Sequence, residues 1–207
     1  MKITLTTAQA ASLAKGIAPA ISTDKLKLNL LGVLVDTTAT ESVTFTATDG
    51  YRLHRITVPQ SSVDNVGLFA LVGAELVSAL LNASKAIGKA SGVIELTYDY
   101  SSNSMVTGGG LTVTVPVAYG EFPACAAILD VNVETESGAC YDTVYLADMV
   151  TAAGHISGKG KVGPKYLDHC QLVKIENIHP RKPMHVTAQS VATGMQFHGV
   201  LMPRRAS

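Results

Sequence analysis

The pentapeptide "AQAAS", residues 8–12, recurs in altered form as "AELVS" at 74–78 and "ADMVT" at 147–151. Each copy has an alanine, an acid or amide, two apolar residues and a hydroxyl residue. Each also opens a segment whose apolar residues have helical spacing. Because a match of five residues arises easily by chance, the flanking segments must agree before an internal repeat is accepted.

The flanking segments do agree in all three copies. The first copy follows the alternating segment "KITLT", and Thr6 with Gln9 has the pattern of a capping box that begins a helix. Three β-rich segments come next, "LKLNLLGVLVDTT", "SVTFTATD" and "YRLHRITVP". The other two copies are likewise preceded by one β-rich segment and followed by three. The sequence therefore predicts three βαβββ units, with the second and third helices over 73–87 and 145–156.

Units of this kind must pair, because a single βαβββ unit leaves a sheet face and a helix stripe uncovered. Two units make a closed α+β domain, and a third needs a partner within the chain or from another copy. We therefore expect a two-unit domain over residues 1–124, a connector over 125–138 and a half domain over 139–207. The odd number of units also predicts a homo-oligomer.

The composition is that of a folded, core-rich chain, since 47% of the 207 residues are hydrophobic and 15% are charged. No apolar run approaches the roughly 20 residues of a membrane helix, and "MKITLTTAQA" does not resemble a signal peptide. Cys125, Cys140 and Cys170 are widely spaced, which fits three free thiols in a reducing compartment. We expect a cytoplasmic protein without a metal site.

The net charge of zero conceals an asymmetry along the chain. Residues 1–138 hold 8 Lys/Arg and 12 Asp/Glu, whereas residues 139–207 hold 8 and 4, so the two parts carry −4 and +4. Basic side chains near the helices and in the loop "SGKGKVGPK" (157–165) could contact a phosphate backbone without reading its sequence. These candidate DNA contacts are Lys15, Lys85, Lys89, Lys159, Lys161 and Lys165. The alternative is that they are solvated surface lysines.

The sequence offers no clear catalytic arrangement. Gly158 and Gly163 have the spacing of a phosphate-binding loop, but Pro164 and Lys165 follow where Lys and Ser/Thr are required. No Ser/His/Asp or Cys/His nucleophile pattern and no general acid/base pair stands out. We therefore predict a protein that is not an enzyme and carries no cofactor. A nucleotide-binding protein that uses the 157–165 loop is the alternative from the enzyme class.

Four further motifs, in order along the chain, carry a family resemblance. "TATDGYRL", residues 46–53, is similar to the signature of bacterial DNA polymerase III β sliding clamps. "LNLLGVLVD" resembles the strand that precedes this signature, and "VAYGEFPACAAIL" resembles the Gly-x-Phe-Pro connector. "HGVLMPRRAS" resembles the Val-Met-Pro-x-Arg ending of the family. The βαβββ repeat is also the building block of these clamps.

The resemblance implies a fold in which helices line a central hole around duplex DNA and antiparallel sheets form the outside. It implies no catalysis, and it implies that a polymerase and a clamp loader bind through short peptides in a hydrophobic pocket. Carried over residue by residue, the pocket comprises Leu30, Thr48, Gly50, Tyr51, Arg52, Leu53, Pro123, Asp142, Tyr145, Val200, Leu201, Met202, Pro203, Arg204 and Arg205. An apolar groove containing a methionine suits variable peptides.

The chain departs from the family pattern in length and at several positions. Clamp rings of the family close with twelve βαβββ units, so three units per chain predict a ring of four chains, a reduced, phage-like form. Tyr51 stands where the family has His, and Cys125 to Ala127 replace aromatic and basic residues. Arg204 follows Pro203 where an apolar residue is common. A clamp-like protein that binds a host clamp or replisome without encircling DNA is the alternative.

Overall fold

The structure is a computed structural model, and it describes residues 2–60, 67, 69–87, 92–99, 101–102, 104–108, 113–117, 120–129, 139–157, 174–176 and 181–204. Within these ranges the chain forms four α-helices and two antiparallel sheets. No helix in the described ranges is long and apolar enough to cross a membrane.

The order of the elements matches the prediction in the first two units, whereas the third unit has a helix and three strands but no leading strand among the described residues. The first unit has β1 (Lys2–Thr6), α1 (Thr7–Ile17), β2 (Gly32–Asp36), β3 (Ser42–Thr48) and β4 (Arg52–Pro59). The second has β5 (Phe69–Gly73), α2 (Glu75–Ile87), β6 (Val93–Asp99), β7 (Ser104–Gly108) and β8 (Val113–Pro116). A short helix follows, α3 (Ala126–Leu129). The third unit has α4 (Thr143–Ser157), β9 (Lys174–Glu176), β10 (Met184–Gln189) and β11 (Gln196–Leu201).

Local hydrogen bonds explain where two of the helices begin. The predicted capping box is confirmed: Thr6 Oγ1 accepts from Gln9 N at 3.1 Å, and Thr6 N donates to Gln9 Oε1 at 2.9 Å. Helix α4 begins two residues before the predicted position because Asp142 caps it, accepting from the amides of Val144 and Tyr145 at 2.9 and 3.3 Å. These bonds satisfy amides that a helix N-terminus leaves without an intrahelical partner.

The first two units complete each other's sheets by exchanging their leading strands. Strand β1 pairs antiparallel with β6, and β5 pairs with β2. As a result the apolar residues of the strand after each helix are covered: Val33 and Val35 on β2, and Ile94 and Leu96 on β6, are all 0% exposed. Pairing of the two units therefore closes this part of the core.

The third unit joins the first through a continuous sheet. Strand β11 pairs antiparallel with β4, which places Val200 opposite Leu53 and Leu201 opposite Arg52. The resulting sheet of seven strands has the order β5-β2-β3-β4-β11-β10-β9, and the second sheet has the order β1-β6-β7-β8. In the part of the third unit that precedes α4, the described pairing is a single bridge between Cys140 and Arg204.

The three long helices form a layer on one side of the sheets, with α1 between α2 and α4. The apolar residues Ala10, Leu13 and Ile17 of α1 are buried in this layer. Gly16 allows α1 to approach its neighbours closely, since a Cβ there would lie 2.8 Å from Ile56 Cδ1 and 3.3 Å from Ile156 Cδ1. Each large apolar side chain buried in this layer stabilises the fold by about 1.5–3 kcal/mol.

Candidate peptide pocket and helix face

The turn between β3 and β4 is held by its own side chains. Asp49 Oδ1 accepts hydrogen bonds from the amides of Tyr51 and Arg52 at 2.9 and 3.0 Å. The hydroxyl of Thr48 donates to the Arg52 carbonyl at 2.7 Å and accepts from Gly50 N at 3.1 Å. Gly50 has φ of 93°, which a residue with a Cβ rarely adopts. The "TDGYR" run therefore builds a rigid, defined turn.

The residues that follow β11 lie opposite this turn and form the second wall of the predicted pocket. Met202 N donates to the Tyr51 carbonyl at 3.0 Å, which extends the β4–β11 pairing into the turn. Two residues further on, Arg204 N donates to the Cys140 carbonyl at 2.8 Å. Tyr51 and Met202, 151 positions apart in sequence, are thus brought together by backbone pairing, as the predicted pocket requires.

A small cavity of about 30 Å³ lies between these walls. Seven of the residues implied by the resemblance line it, and the eighth lining residue is Ile128 of α3: Thr48, Gly50, Tyr51, Arg52, Leu53, Ile128, Val200 and Met202. Ile128 was missed because the connector "ACAAIL" departs from the family pattern. Met202, which is 41% exposed, is the most exposed apolar residue after Tyr51 in this lining.

A larger, polar cavity of about 510 Å³ adjoins the first and shares Tyr51 and Arg52 with it. Two tyrosine rings and two cationic side chains contact one another in the wall of this cavity. The rings of Tyr51 and Tyr145 lie 6.0 Å apart at 27°, and Lys27 Nζ lies 5.4 Å from the Tyr51 ring centroid. The Arg52 guanidinium lies 4.5 Å from the Tyr145 centroid. Aromatic faces with cations above them are mutually stabilising, which orders this wall.

Arg52 links the first and third units through ion pairs. Its Nε lies 3.1 Å from Asp49 Oδ2, and its Nη1 lies 2.6 Å from Asp148 Oδ2 on α4. The Arg52 side chain is 11% exposed and that of Asp49 is 13% exposed, so the pair with Asp49 is largely shielded from water. The guanidinium is therefore engaged within the protein, where it also lies over the Tyr145 ring.

Several residues implied by the resemblance do not line either cavity. Leu30 and Leu201 are buried in the protein, Pro123 is exposed, and Pro203 is half-buried. Asp142 caps α4 and forms an ion pair with Arg204 at 3.2 Å. Arg205 lies outside the described residues.

The outward surfaces of α1 and α2 form a groove of about 430 Å³ with a lysine on each helix. It is lined by Thr7, Ala8, Ala11, Lys15, Leu81, Ser84 and Lys85. The structure thus brings together two of the predicted DNA contacts, Lys15 and Lys85. The remaining predicted lysines, and most of the 157–165 loop, lie outside the described residues.

Three histidines near the junction between the first and third units have a lowered pKa. Burial lowers the pKa of His54 to about 4, although a hydrogen bond with the Gly16 carbonyl at 2.8 Å opposes this shift. His185 and His198 lie on adjacent strands with Nδ1 and Nε2 2.9 Å apart. Burial lowers the pKa of both, that of His198 to about 4. Among the described residues, no group of three or more His, Cys, Asp or Glu could hold a metal ion.

No protein-family model and no curated protein matches the chain. Solved structures do match it. The DNA polymerase sliding clamp of Pseudomonas aeruginosa superposes with a TM-score of 0.72 at 11% identity, over 100% of this chain and 67% of that one. The β sliding clamp of C. crescentus gives 0.70 at 16% identity, over 99% and 65%. The DNA polymerase III β subunit of Thermotoga maritima gives 0.65 at 14% identity, over 100% and 66%.

These matches confirm the fold inferred from the sequence. The chain has the α+β fold of DNA polymerase III β sliding clamps, with antiparallel sheets on one side and helices on the other. It spans 65–67% of the length of the solved chains named here. At identities of 11–16% the likeness concerns the fold.

Proposed function

We propose that this protein is a DNA sliding clamp, a non-enzymatic processivity factor that encircles duplex DNA and tethers replication proteins. The observation that carries the proposal is the arrangement of layers in the sliding-clamp fold, with helices on one side and antiparallel sheets on the other. Its helices form one surface, and Lys15 and Lys85 flank a groove on that surface. Lysines on a regular helix surface contact phosphates without reading bases, which is what a protein that slides requires.

The proposed organisation is a clamp domain over residues 1–124, a connector over 125–138 and a half domain over 139–207. The strand exchange between the first two units supports the clamp domain, because each unit covers the open sheet edge of the other. A ring with twelve units then needs four chains. We propose a cytoplasmic homotetramer with a native mass of four times 21.6 kDa.

The proposed tether is the pocket between the β3–β4 turn and the end of β11. Its apolar lining includes Leu53, Ile128, Val200 and Met202, and the cavity of about 30 Å³ is too small for a bulky side chain as it stands. Met202 is unbranched and 41% exposed, so it can swing aside at low cost when a peptide side chain enters. The adjoining polar cavity would accept the flanking residues of the peptide.

Topological retention on DNA tests the encircling function without a clamp loader. The protein is incubated with a linear duplex biotinylated at both ends, so that a ring can thread over an open end. Streptavidin is then added to block the ends, and unbound protein is removed at high salt. A sliding clamp stays on the blocked duplex and is released when a restriction enzyme cuts that duplex. A protein that binds DNA without encircling it is lost in the wash or is unaffected by cutting.

The tethering function is tested with a fluorescent peptide that carries the clamp-binding segment of a bacterial replicative polymerase. We expect saturable binding that Met202→Ala weakens. The proposal would be overturned by three results together: the peptide does not bind, the protein is not retained on DNA, and it forms a stoichiometric complex with a bacterial clamp. The protein would then be a clamp-like partner of a host replisome.

A further inference from the structure

The outward face of the seven-stranded sheet holds a polar cavity that the proposed function does not use. It has a volume of about 430 Å³ and lies over β4, β11, β10 and β9. Successive residues of a strand point to opposite faces, so Arg55 and Thr57 of β4 point away from the core that Ile56 enters. On β11, His198 points outward beside the buried Phe197. The cavity is therefore on the side of the sheet opposite the helices.

The lining of this cavity is rich in hydrogen-bond donors. Two cationic side chains contribute to it together with hydroxyls and amides: Arg55, Lys174, Thr57, Thr187, Gln189 and Gln196. No acid is among the described residues that line the cavity. Such a surface favours an anionic group, because an anion accepts hydrogen bonds and is attracted by the positive charges.

Arg55 supplies the principal positive charge of the cavity. Its Nε donates to the Thr46 hydroxyl at 3.4 Å, and none of the ion pairs between described residues includes it. Lys174 is already paired, since its Nζ lies 2.6 Å from Glu176 Oε1. The His198 imidazole is uncharged at neutral pH, because burial lowers its pKa to about 4. An incoming anion therefore gains most from the Arg55 guanidinium.

The cavity lies next to the proposed peptide pocket on the same face of the sheet. Leu53 and Val200, which are opposed across β4 and β11, line the small apolar cavity. Arg55 and His198 are the next outward-facing opposed pair on the same two strands. A strand rises about 3.3–3.4 Å per residue, so the two pairs are about 7 Å apart. An extended peptide covers that distance with two residues as well.

We propose that this cavity binds an acidic residue of a partner peptide, two or three positions from the apolar residue that enters the small cavity. The carboxylate bonds to Arg55, whose paired N–H groups match its two oxygens. Thr57 and Gln196, an opposed pair further along the same strands, offer additional hydrogen bonds. This site rests on the proposed function, because the tether pocket holds the peptide, and it adds a preference for acidic partners.

A DNA phosphate is the other source of an anion, and the position of the cavity favours a peptide. The groove with Lys15 and Lys85, proposed to contact DNA, lies on the helices and thus on the opposite side of the protein. Duplex DNA that lies against the helices leaves the outward face of the sheet open to another ligand. The apolar residues next to Arg55, Leu53 and Val200, also suit a peptide side chain better than a sugar–phosphate chain.

Fluorescence anisotropy with a matched set of peptides tests the preference. The fluorescent polymerase peptide is made with aspartate, asparagine or lysine two or three positions from its apolar residues, on the amino or the carboxyl side in separate peptides. On one of the two sides, we expect aspartate to bind about fivefold more tightly than asparagine, the effect of a charge-assisted hydrogen bond at a partly exposed site. The ratio of the two dissociation constants should decrease at high salt.

Substitutions at Arg55 assign the preference to this cavity. Arg55→Gln should bring the ratio of the two dissociation constants close to one, and Arg55→Glu should make the lysine peptide the tighter ligand. Lys2→Gln is the matched control, because it removes one positive charge from an exposed position on the four-stranded sheet. It should keep the preference for aspartate. Circular dichroism checks that all variants are folded.

The outcomes separate this site from the proposed tether. If aspartate and asparagine peptides bind equally at every placement, the acid site is wrong and the tether remains supported. A preference for aspartate that Arg55→Gln leaves intact, or that Lys2→Gln also removes, overturns the site as well. A preference that Arg55→Gln abolishes and Arg55→Glu reverses supports it. If none of the peptides binds, the tether and the acid site are both overturned.

Discussion

The burial of His54 makes the joint between the first and third units sensitive to acid. The imidazole lies on β4 and is 0% exposed, with Nδ1 bonded to the Gly16 carbonyl of α1 and its ring against Phe197 of β11 at 5.1 Å. Its Nε2 has no hydrogen-bond partner among the described residues. A proton added at Nε2 would place a charge in the core beside the positive charge of Arg52, and this is why burial lowers the pKa to about 4.

The sign and size of the effect follow from linkage. Between the ordinary pKa of 6.5 and the folded value of about 4, the unfolded chain binds a proton that the folded protein does not. Stability is therefore fully present above about pH 6.5 and falls as the pH decreases towards 4. One pKa unit corresponds to about 1.4 kcal/mol, so His54 alone lowers the free energy of unfolding by about 2 kcal/mol near pH 5.

The assay compares urea unfolding of the wild type and His54→Gln, followed by circular dichroism at neutral pH and near pH 5. Glutamine does not titrate and keeps an amide that can donate to the Gly16 carbonyl. His185 and His198 titrate in both proteins and cancel in the comparison. We expect the acid-induced loss of stability to be smaller in the variant by about 2 kcal/mol. Parallel losses in the two proteins would refute the reasoning.

Four further expectations concern the pocket and the helix surface. Arg52→Ala leaves Asp49 shielded from water without its ion-pair partner, so the free energy of unfolding should fall by about 3 kcal/mol in urea titrations. Met202→Ala should keep the wild-type stability and weaken peptide binding in fluorescence anisotropy. Gly50→Ala forces a side chain into φ of 93°, and thermal unfolding should show a loss of about 1 kcal/mol. Lys15→Ala with Lys85→Ala should lower the salt dependence of DNA binding and leave the native mass unchanged; an unaltered salt dependence would exclude this groove as the DNA surface.

Much of the fold follows from local patterns in the chain. The capping box of Thr6 and Gln9 begins α1 because side chains three residues apart satisfy each other's backbone groups. The turn at Gly50 also depends on near neighbours in sequence, since the side chains of Asp49 and Thr48 accept hydrogen bonds from amides within four residues. Helical and strand spacing then repeats three times, which is sufficient to predict the βαβββ units and, through the motifs, the clamp fold.

The candidate site was predicted in part, because its two walls belong to separate motifs. The cluster around Tyr51 and the ending around Met202 could each be recognised alone. Their meeting depends on the β4–β11 pairing, and Ile128 enters only because α3 folds over the cavity. Neither contact has a local pattern, since strand edges can pair in many registers and a single apolar residue in a connector carries no period.

The sequence by itself determined the three repeats, the helix starts and the sharp turn, because backbone sterics and short-range hydrogen bonds act between near neighbours in the chain. Only the tertiary structure decided which strands the units exchange and that Arg52 bonds to Asp148. These features depend on which apolar surfaces remain after every other unit has been covered. That balance is a property of the whole packed chain.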